Sequence, residues 1–128
     1  MRKTMPVREC MSHLPAETDR REPLDEVLRN MHEPKCHHVP IMDGTRLYGI
    51  LSRQDLHEVA LRGETTTKEL HAGDVCTRDP LTVGPMTPIV EVAQAMLDRH
   101  VGSALVTDGD VLVGIFTSTD ALRLIAAL

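Results

Sequence analysis

Two seven-residue stretches of this chain hold the residue types that could do chemistry: Gly49-Ile50-Leu51-Ser52-Arg53-Gln54-Asp55 and Gly114-Ile115-Phe116-Thr117-Ser118-Thr119-Asp120. In each, a glycine and an apolar pair end what reads as a strand. A hydroxyl residue then stands at the N-cap of the next helix, and an aspartate follows three positions later. A strand running into a helix leaves backbone N–H groups unpaired at the turn, where phosphate binds readily. The same spacing also makes a capping box, in which hydroxyl and carboxylate satisfy the orphan amides of the first turn. One copy alone would favour the cap. Two copies at matching places favour a functional pair, because a turn that only needed a cap could have used any good capping residue.

Other reactive residues carry less. His32, Cys36, His37 and His38 are ligand types that suit zinc. Adjacent His37 and His38 at a strand start point to opposite faces, however, and no Cys-x-x-Cys accompanies them. Surface histidines near a cleft, able to make a pH-dependent contact with a phosphate, are the expectation, with no metal site. The acid pairs Asp25-Glu26 and Glu17/Asp19 complement helix N-termini more readily than they do chemistry. Cys10 and Cys76 have no partnered base. With no Gly-x-Ser-x-Gly, Walker or His-Glu-x-x-His stretch, the sequence is not expected to be an enzyme.

The elements that must position the two stretches form a repeat. Displacing the sequence by about 65 positions aligns its halves without a gap. Pro15 meets Pro80, Pro23 meets Pro88, Glu26-Val27 meets Glu91-Val92, and Met31 meets Met96. Asp43-Gly44 meets Asp108-Gly109, Leu47 meets Leu112, and Asp55 meets Asp120. Each copy has a short extended piece, clearest at Leu81-Thr82-Val83, and then a helix near Pro23 or Pro88, with Thr87 as a candidate N-cap. Leu24, Val27, Leu28 and Met31, like Ile89, Val92, Ala93 and Met96, fall at i, i+3, i+4 and i+7, which makes one core stripe per helix. Two strands joined through Asp-Gly follow, His38 to Met42 with Arg46 to Leu51 and Ser103 to Thr107 with Val111 to Phe116. A second helix has Leu56, Val59 and Ala60, or Ala121, Leu124, Ile125 and Leu128, on its apolar side. Lead-ins around Val7 to Met11 and Ala72 to Cys76 precede the two copies. The predicted fold is α/β, two β-α-β-β-α units packed through their sheets. The division is residues 1–62 with a lead-in, a connector over 63–71, and residues 72–128.

The 128 residues suffice for a shared core, and a 41% hydrophobic fraction fits a globular chain. Aromatics are only 2%, Tyr48 and Phe116 with no Trp, which disfavours stacking platforms for bases. A formal net charge of -5 argues against a nucleic-acid surface. No segment approaches the length that crosses a bilayer, and three widely spaced cysteines, Cys10, Cys36 and Cys76, suit reduced thiols, so a cytoplasmic location is expected.

The lead-ins Val7-Arg8-Glu9-Cys10-Met11-Ser12 and Ala72-Gly73-Asp74-Val75-Cys76-Thr77, with the motifs ending at Asp55 and Asp120, resemble the tandem cystathionine-β-synthase-type domains, the CBS pair or Bateman module. The resemblance spans essentially the whole chain and implies pseudo-two-fold symmetry. It also implies a regulatory module that binds an adenosyl ligand between its units and associates as a homodimer. By matching position it makes Ser52, Asp55, Thr117 and Asp120 ligand-binding, the aspartates taking ribose hydroxyls while the hydroxyl residues and helix amides face phosphate. A carboxylate accepts hydrogen bonds from a diol and repels phosphate, which agrees with that division. Arg53 is a phosphate ligand or a solvated helix residue. The resemblance lays the base along Thr77 to Val83, including Pro80, Thr82 and Val83, with Gly102, Ser103 and Ala104 beside it. The first unit departs there, having the polar Pro15 to Arg20 run, while Lys35, His37 and His38 enrich its phosphate side.

The expected ligand is AMP, ADP or ATP, with NAD or S-adenosylmethionine sharing the same adenosine ribose. Its binding would be reported to an effector protein that the sequence does not name. The competing expectation is a ligand-free dimerisation or protein-interaction module, in which both Ser/Thr-x-x-Asp turns serve as caps.

Overall fold

The computed structural model describes residues 2–13, 17–31, 38–62 and 69–128. Two compact units result, one made of Pro15–Asp79 and the other of Met1–Leu14 with Pro80–Leu128.

The first contains β1 (Thr18–Asp19), α1 (Leu24–Asn30), β2 (His38–Asp43), β3 (Arg46–Ser52), α2 (Arg53–Arg62), α3 (Ala72–Val75) and β4 (Thr77–Arg78). Its sheet runs in the order β1-β2-β3-β4. β1 is parallel to β2, and the other neighbours are antiparallel. The second unit contains a 3-10 turn (Val7–Glu9), β5 (Thr82–Val83), α4 (Ile89–Arg99), β6 (Ser103–Asp108), β7 (Val111–Thr117) and α5 (Ser118–Ala126). Its sheet runs β5-β6-β7, again with a parallel first pair and an antiparallel hairpin.

The hairpin glycines Gly44 and Gly109 sit at φ 63° and 62°, a left-handed conformation that glycine adopts without a Cβ penalty. β2 and β6 are continuous apolar runs, with Val39 to Met42 and Ser103 to Val106 buried, so each is covered on both faces. The stripe of α1 buries Leu24, Val27 and Met31, and that of α4 buries Ile89, Val92 and Met96, as their spacing predicts.

Three sequence expectations need correction. The helices begin one residue later than expected, because Pro23 and Pro88 have extended ψ of 137° and 139° and are themselves the cap positions. Neither helix start has a side-chain cap bond, so Thr87 is not the N-cap. On α5, Ala121 and Leu124 pack on the core, but Ile125 and Leu128 are 58% and 76% exposed. The inward face is thus narrower than the apolar pattern suggested. The side chain of Ala60 lies outside the described set.

The third correction concerns the lead-ins, which pack with the opposite sequence repeat. Val7 is wholly buried among Ile89, Val92, Met96, Ala104, Val106 and Phe116, a burial worth about 1.5 to 3 kcal/mol. Ala72 is wholly buried among Leu24, Val27, Met31, Val39, Ile41 and Leu51. Thr77 and Arg78 accordingly form an edge strand on β3. They do not continue into the extended segment of the second repeat, as the base-facing stretch was expected to do. Of the expected connector, residues 63–68 lie outside the described residues, while Leu70 and His71 belong to the first unit, the Leu70 carbonyl accepting from the Leu24 amide at 2.8 Å.

Glycine makes this lead-in docking possible. A Cβ on Gly49 would lie 2.5 Å from the Thr77 carbonyl oxygen and 2.9 Å from Cys76 Sγ. A Cβ on Gly114 would run into the Met11 side chain. Cys76 and Met11 occupy equivalent repeat positions, so the same close approach occurs twice.

Candidate functional site

Each Ser/Thr-x-x-Asp turn lies where the last strand of its hairpin passes into the following helix. In the first unit the Ser52 amide donates to Asp55 Oδ2 at 2.8 Å and the Ser52 hydroxyl donates to the same oxygen at 3.0 Å. The Asp55 amide donates back to Ser52 Oγ at 3.2 Å. In the second, Thr117 gives Asp120 Oδ2 the same pair of bonds at 2.9 and 3.1 Å and receives the Asp120 amide at 3.3 Å. Both turns are therefore complete capping boxes.

The other carboxylate oxygen is held by a lead-in. Thr77 Oγ1 donates to Asp55 Oδ1 at 3.0 Å, and Ser12 Oγ donates to Asp120 Oδ1 at 2.8 Å. These hydroxyls are the hydrogen-bond partners of the two aspartates that sequence reasoning missed. A signal was present, since Ser12 and Thr77 are equivalent in the repeat and both carry a hydroxyl, but nothing in the spacing tells which aspartate each one meets.

Main-chain bonds fix Ser12, whose amide and carbonyl pair with those of Ile115 at 2.8 and 3.0 Å. Thr77 is fixed through its neighbour. The Arg78 guanidinium lies 3.7 Å over the Tyr48 ring and donates from Nε to the Tyr48 carbonyl at 2.8 Å, and cation–π contact of this kind holds an edge strand in register. Arg20 lies 5.2 Å from the same ring, and its Nε is 3.2 Å from Asp43 Oδ1, an ion pair whose angle falls short of a hydrogen bond.

His38 begins β2 directly across from Ser52 and is half-buried, and Arg53 is exposed on the first turn of α2. In the second unit the buried Ser103 faces Thr117 across the hairpin. The Ser118 amide and hydroxyl both donate to the Gly102 carbonyl, at 3.0 and 3.3 Å. β5 pairs Thr82 with Leu105 and Val83 with Val106, so the half-buried Pro80, two residues upstream, lies toward the Ser103 end. Within the first unit the fold brings His38, Ser52, Arg53 and Asp55 to one sheet end. Within the second it gathers Pro80, Ser103, Thr117 and Asp120, with Thr82 and Val83 further along the edge strand.

Burial pushes the thiols of Cys10 and Cys76 above their ordinary range, and nearby Asp120 and Asp55 respectively act in the same direction. Neither is a poised nucleophile. Among the described residues no group of three His, Cys, Asp or Glu could hold a metal. His32, Lys35, Cys36 and His37 lie outside the described residues. No helix among the described residues is long and apolar enough to cross a membrane.

The family model for the CBS domain matches residues 6–62 and again 72–127. The chain belongs to the CBS domain family. The two matches make it a tandem CBS pair, and the mixed α/β architecture agrees with solved structures. An uncharacterized conserved protein from Pyrococcus horikoshii superposes with a TM-score of 0.87 at 21% identity, over 98% of this chain and 95% of that one. The structure described as CBSX2 in complex with AMP superposes with a TM-score of 0.78 at 25% identity, over 96% and 97%. In sequence, the chain is 32% identical over 100 residues to inosine-5'-monophosphate dehydrogenase of Korarchaeum cryptofilum (strain OPF8), covering 76% of this chain and 19% of that protein. The chain spans between 9% and 28% of the length of the first curated relatives it matches. Those relatives include enzymes, of which the matched segment is a minor part.

Proposed function

We propose that this CBS pair is a regulatory ligand-binding module that takes an adenine nucleotide, AMP, ADP or ATP, at its Ser/Thr-x-x-Asp turns and passes the change to a partner protein. One observation carries the reading. At each turn a carboxylate is fixed in place by a capping box and a lead-in hydroxyl, beside the N-terminus of a helix. A fixed carboxylate suits a ribose diol and the helix end suits a phosphate, and at the first turn Arg53 adds a cation. The AMP complex of the 25% identical CBSX2 supports the same ligand class. NAD and S-adenosylmethionine share the ribose, but a sulfonium gains nothing from Arg53. In this reading the module has no catalytic role, and its output requires the ligand to favour one arrangement of the protein over another.

A specific observation favours a second reading, a ligand-free association module. Leu122, Ile125 and Leu128 leave an apolar strip exposed along and just beyond α5, and both aspartates are already satisfied as caps. A homodimer through that strip fits either reading. Sedimentation of the wild type against Leu122→Glu tests it, with loss of the dimer expected.

Calorimetric titration with AMP, ADP, ATP, NAD and S-adenosylmethionine tests the nucleotide reading. Saturable heat from an adenine nucleotide supports it. If no ligand binds, and Asp120→Ala costs only about 1 kcal/mol of stability as a lost cap does, the second reading stands.

A further inference from the structure

Among the described residues, seven of the eight large apolar side chains left exposed belong to the second unit, and only Leu61 to the first. The repeat supplies its own control. Met86, Val90, Val111 and Leu122 stand where the first repeat has Arg21, Asp25, Arg46 and His57. Both repeats build the same hairpin and the same two helices, so the fold itself does not ask for an apolar exterior on one of them.

Four of the seven stand on two helices that cover one face of one sheet, because the inward residues of α4 and α5 meet the same Ala104, Val106 and Phe116. Each exposed residue directly follows an inward one: Val90 after Ile89, Leu97 after Met96, Leu122 after Ala121 and Ile125 after Leu124. That is a step of about 100° around either axis. The right-handed crossover from β5 to the parallel β6 sends α4 back against both strands, and α5 returns against the antiparallel β7. The helices therefore run antiparallel, and the same rotation on each turns the two rows toward the groove between them. Met86, one turn before Val90, and Leu128, just past α5, are exposed as well. A row pair of this size exceeds the scattered apolar surface of an ordinary monomer and approaches the roughly 800 Å² that each partner of a stable dimer buries.

One further step around each helix brings charge. On α4, Glu91 follows Val90 and Asp98 follows Leu97, before the terminal Arg99, whereas on α5 Arg123 follows Leu122 and is 68% exposed. The face is thus complementary to itself. A two-fold axis that lays α4 on the partner's α5 sets acid against base, while α4 on α4 would set acid against acid.

We propose that two copies associate through this face alone, second unit to second unit, with α4 of each against α5 of the other, and that the corresponding helix face of the first unit takes no part. This rests on the homodimer suggested above and states which halves of the chains meet.

The test is a wild-type sample mixed from isotope-labelled and unlabelled chains, in which methyl contacts between chains are recorded. Sedimentation of wild type, Leu97→Glu and His57→Glu accompanies it. Expected are contacts from Val90 or Leu97 of one chain to Leu122 or Ile125 of the other. Leu97→Glu should weaken dimerisation by at least about thirtyfold, as loss of a central interface residue does. His57→Glu, at the repeat counterpart of Leu122, should leave it within about fivefold. Interchain contacts from Leu56 or Leu61, or a loss of dimer in His57→Glu equal to that in Leu97→Glu, would overturn the one-sided assignment and leave the homodimer standing. A wild type that sediments as a monomer at every concentration would defeat the homodimer and this inference together. The contact map uses the wild type, so a variant that fails to fold does not blunt it.

Discussion

Asp43 shows how a single residue couples this fold to pH. Its carboxylate is held below the usual range first by the Arg20 side chain and then by Arg21, and Asp19 is lowered by the Arg21 amide, the Gly44 amide and the Arg21 guanidinium. A carboxyl whose folded value is depressed contributes stability above its unfolded value, near 3.9, and loses it as pH falls through the folded value. The acid limb of stability, below about pH 4, should therefore depend on this cluster. Urea midpoints measured from pH 6 to pH 2.5 should fall less steeply in Asp43→Asn than in wild type. The groups are solvent-exposed, so the difference should shrink when salt is raised. An unchanged acid slope would mean that the cluster is equally formed in the unfolded chain. The thiols of Cys10 and Cys76 run the other way: with raised folded values, their contribution holds below the ordinary thiol range and is lost as pH rises through the folded values.

Among the elements, the hairpin strands and core helices were legible because period and duplication both speak of them. Val27 and Val92, or Asp43-Gly44 and Asp108-Gly109, sit at matching places in matching patterns. The turns were legible as alternatives, cap or phosphate site, and the structure contains the cap in full without removing the other use. What could not be read was partnership. Strands as short as Thr18–Asp19 or Thr77–Arg78 have no period of their own, and an edge pair is chosen by what lies beside it in space. Gly49 and Gly114 looked like strand ends and are places where a lead-in crosses too closely for a side chain. Gly114→Ala should thus overpack the Met11 contact and cost about 1 to 3 kcal/mol. Gly49→Ala should cost at least as much, since the Thr77 carbonyl is backbone and cannot swing away. Equilibrium denaturation of both variants checks this. A neutral result at Gly49 would show that β4 can leave β3 freely.

For the whole chain, exchange of the lead-ins means that one compact unit is the continuous stretch Pro15–Asp79 while the other joins Met1–Leu14 to Pro80–Leu128, residues far apart in sequence. Deleting residues 2–13 should leave β2 and β3 protected and unprotect the far repeat. Hydrogen exchange should speed up at the Ile115 amide, which bonds to Ser12, and through α4, which loses Val7. If exchange instead rose in the hairpin of residues 38–52, the lead-in would be supporting its own repeat and the division into units described above would be wrong.

The Ser12–Asp120 hydrogen bond spans 108 positions. At a synthesis rate of about 5 to 20 residues per second, Val7 and Ser12 leave the ribosome roughly 5 to 20 s before the aspartate and strand that receive them. Throughout that interval the first repeat can close its own hairpin, while the core that receives Val7 has not yet been made. Docking of residues 7–12 thus has to wait for the strand and aspartate that receive them, and is among the last events of folding.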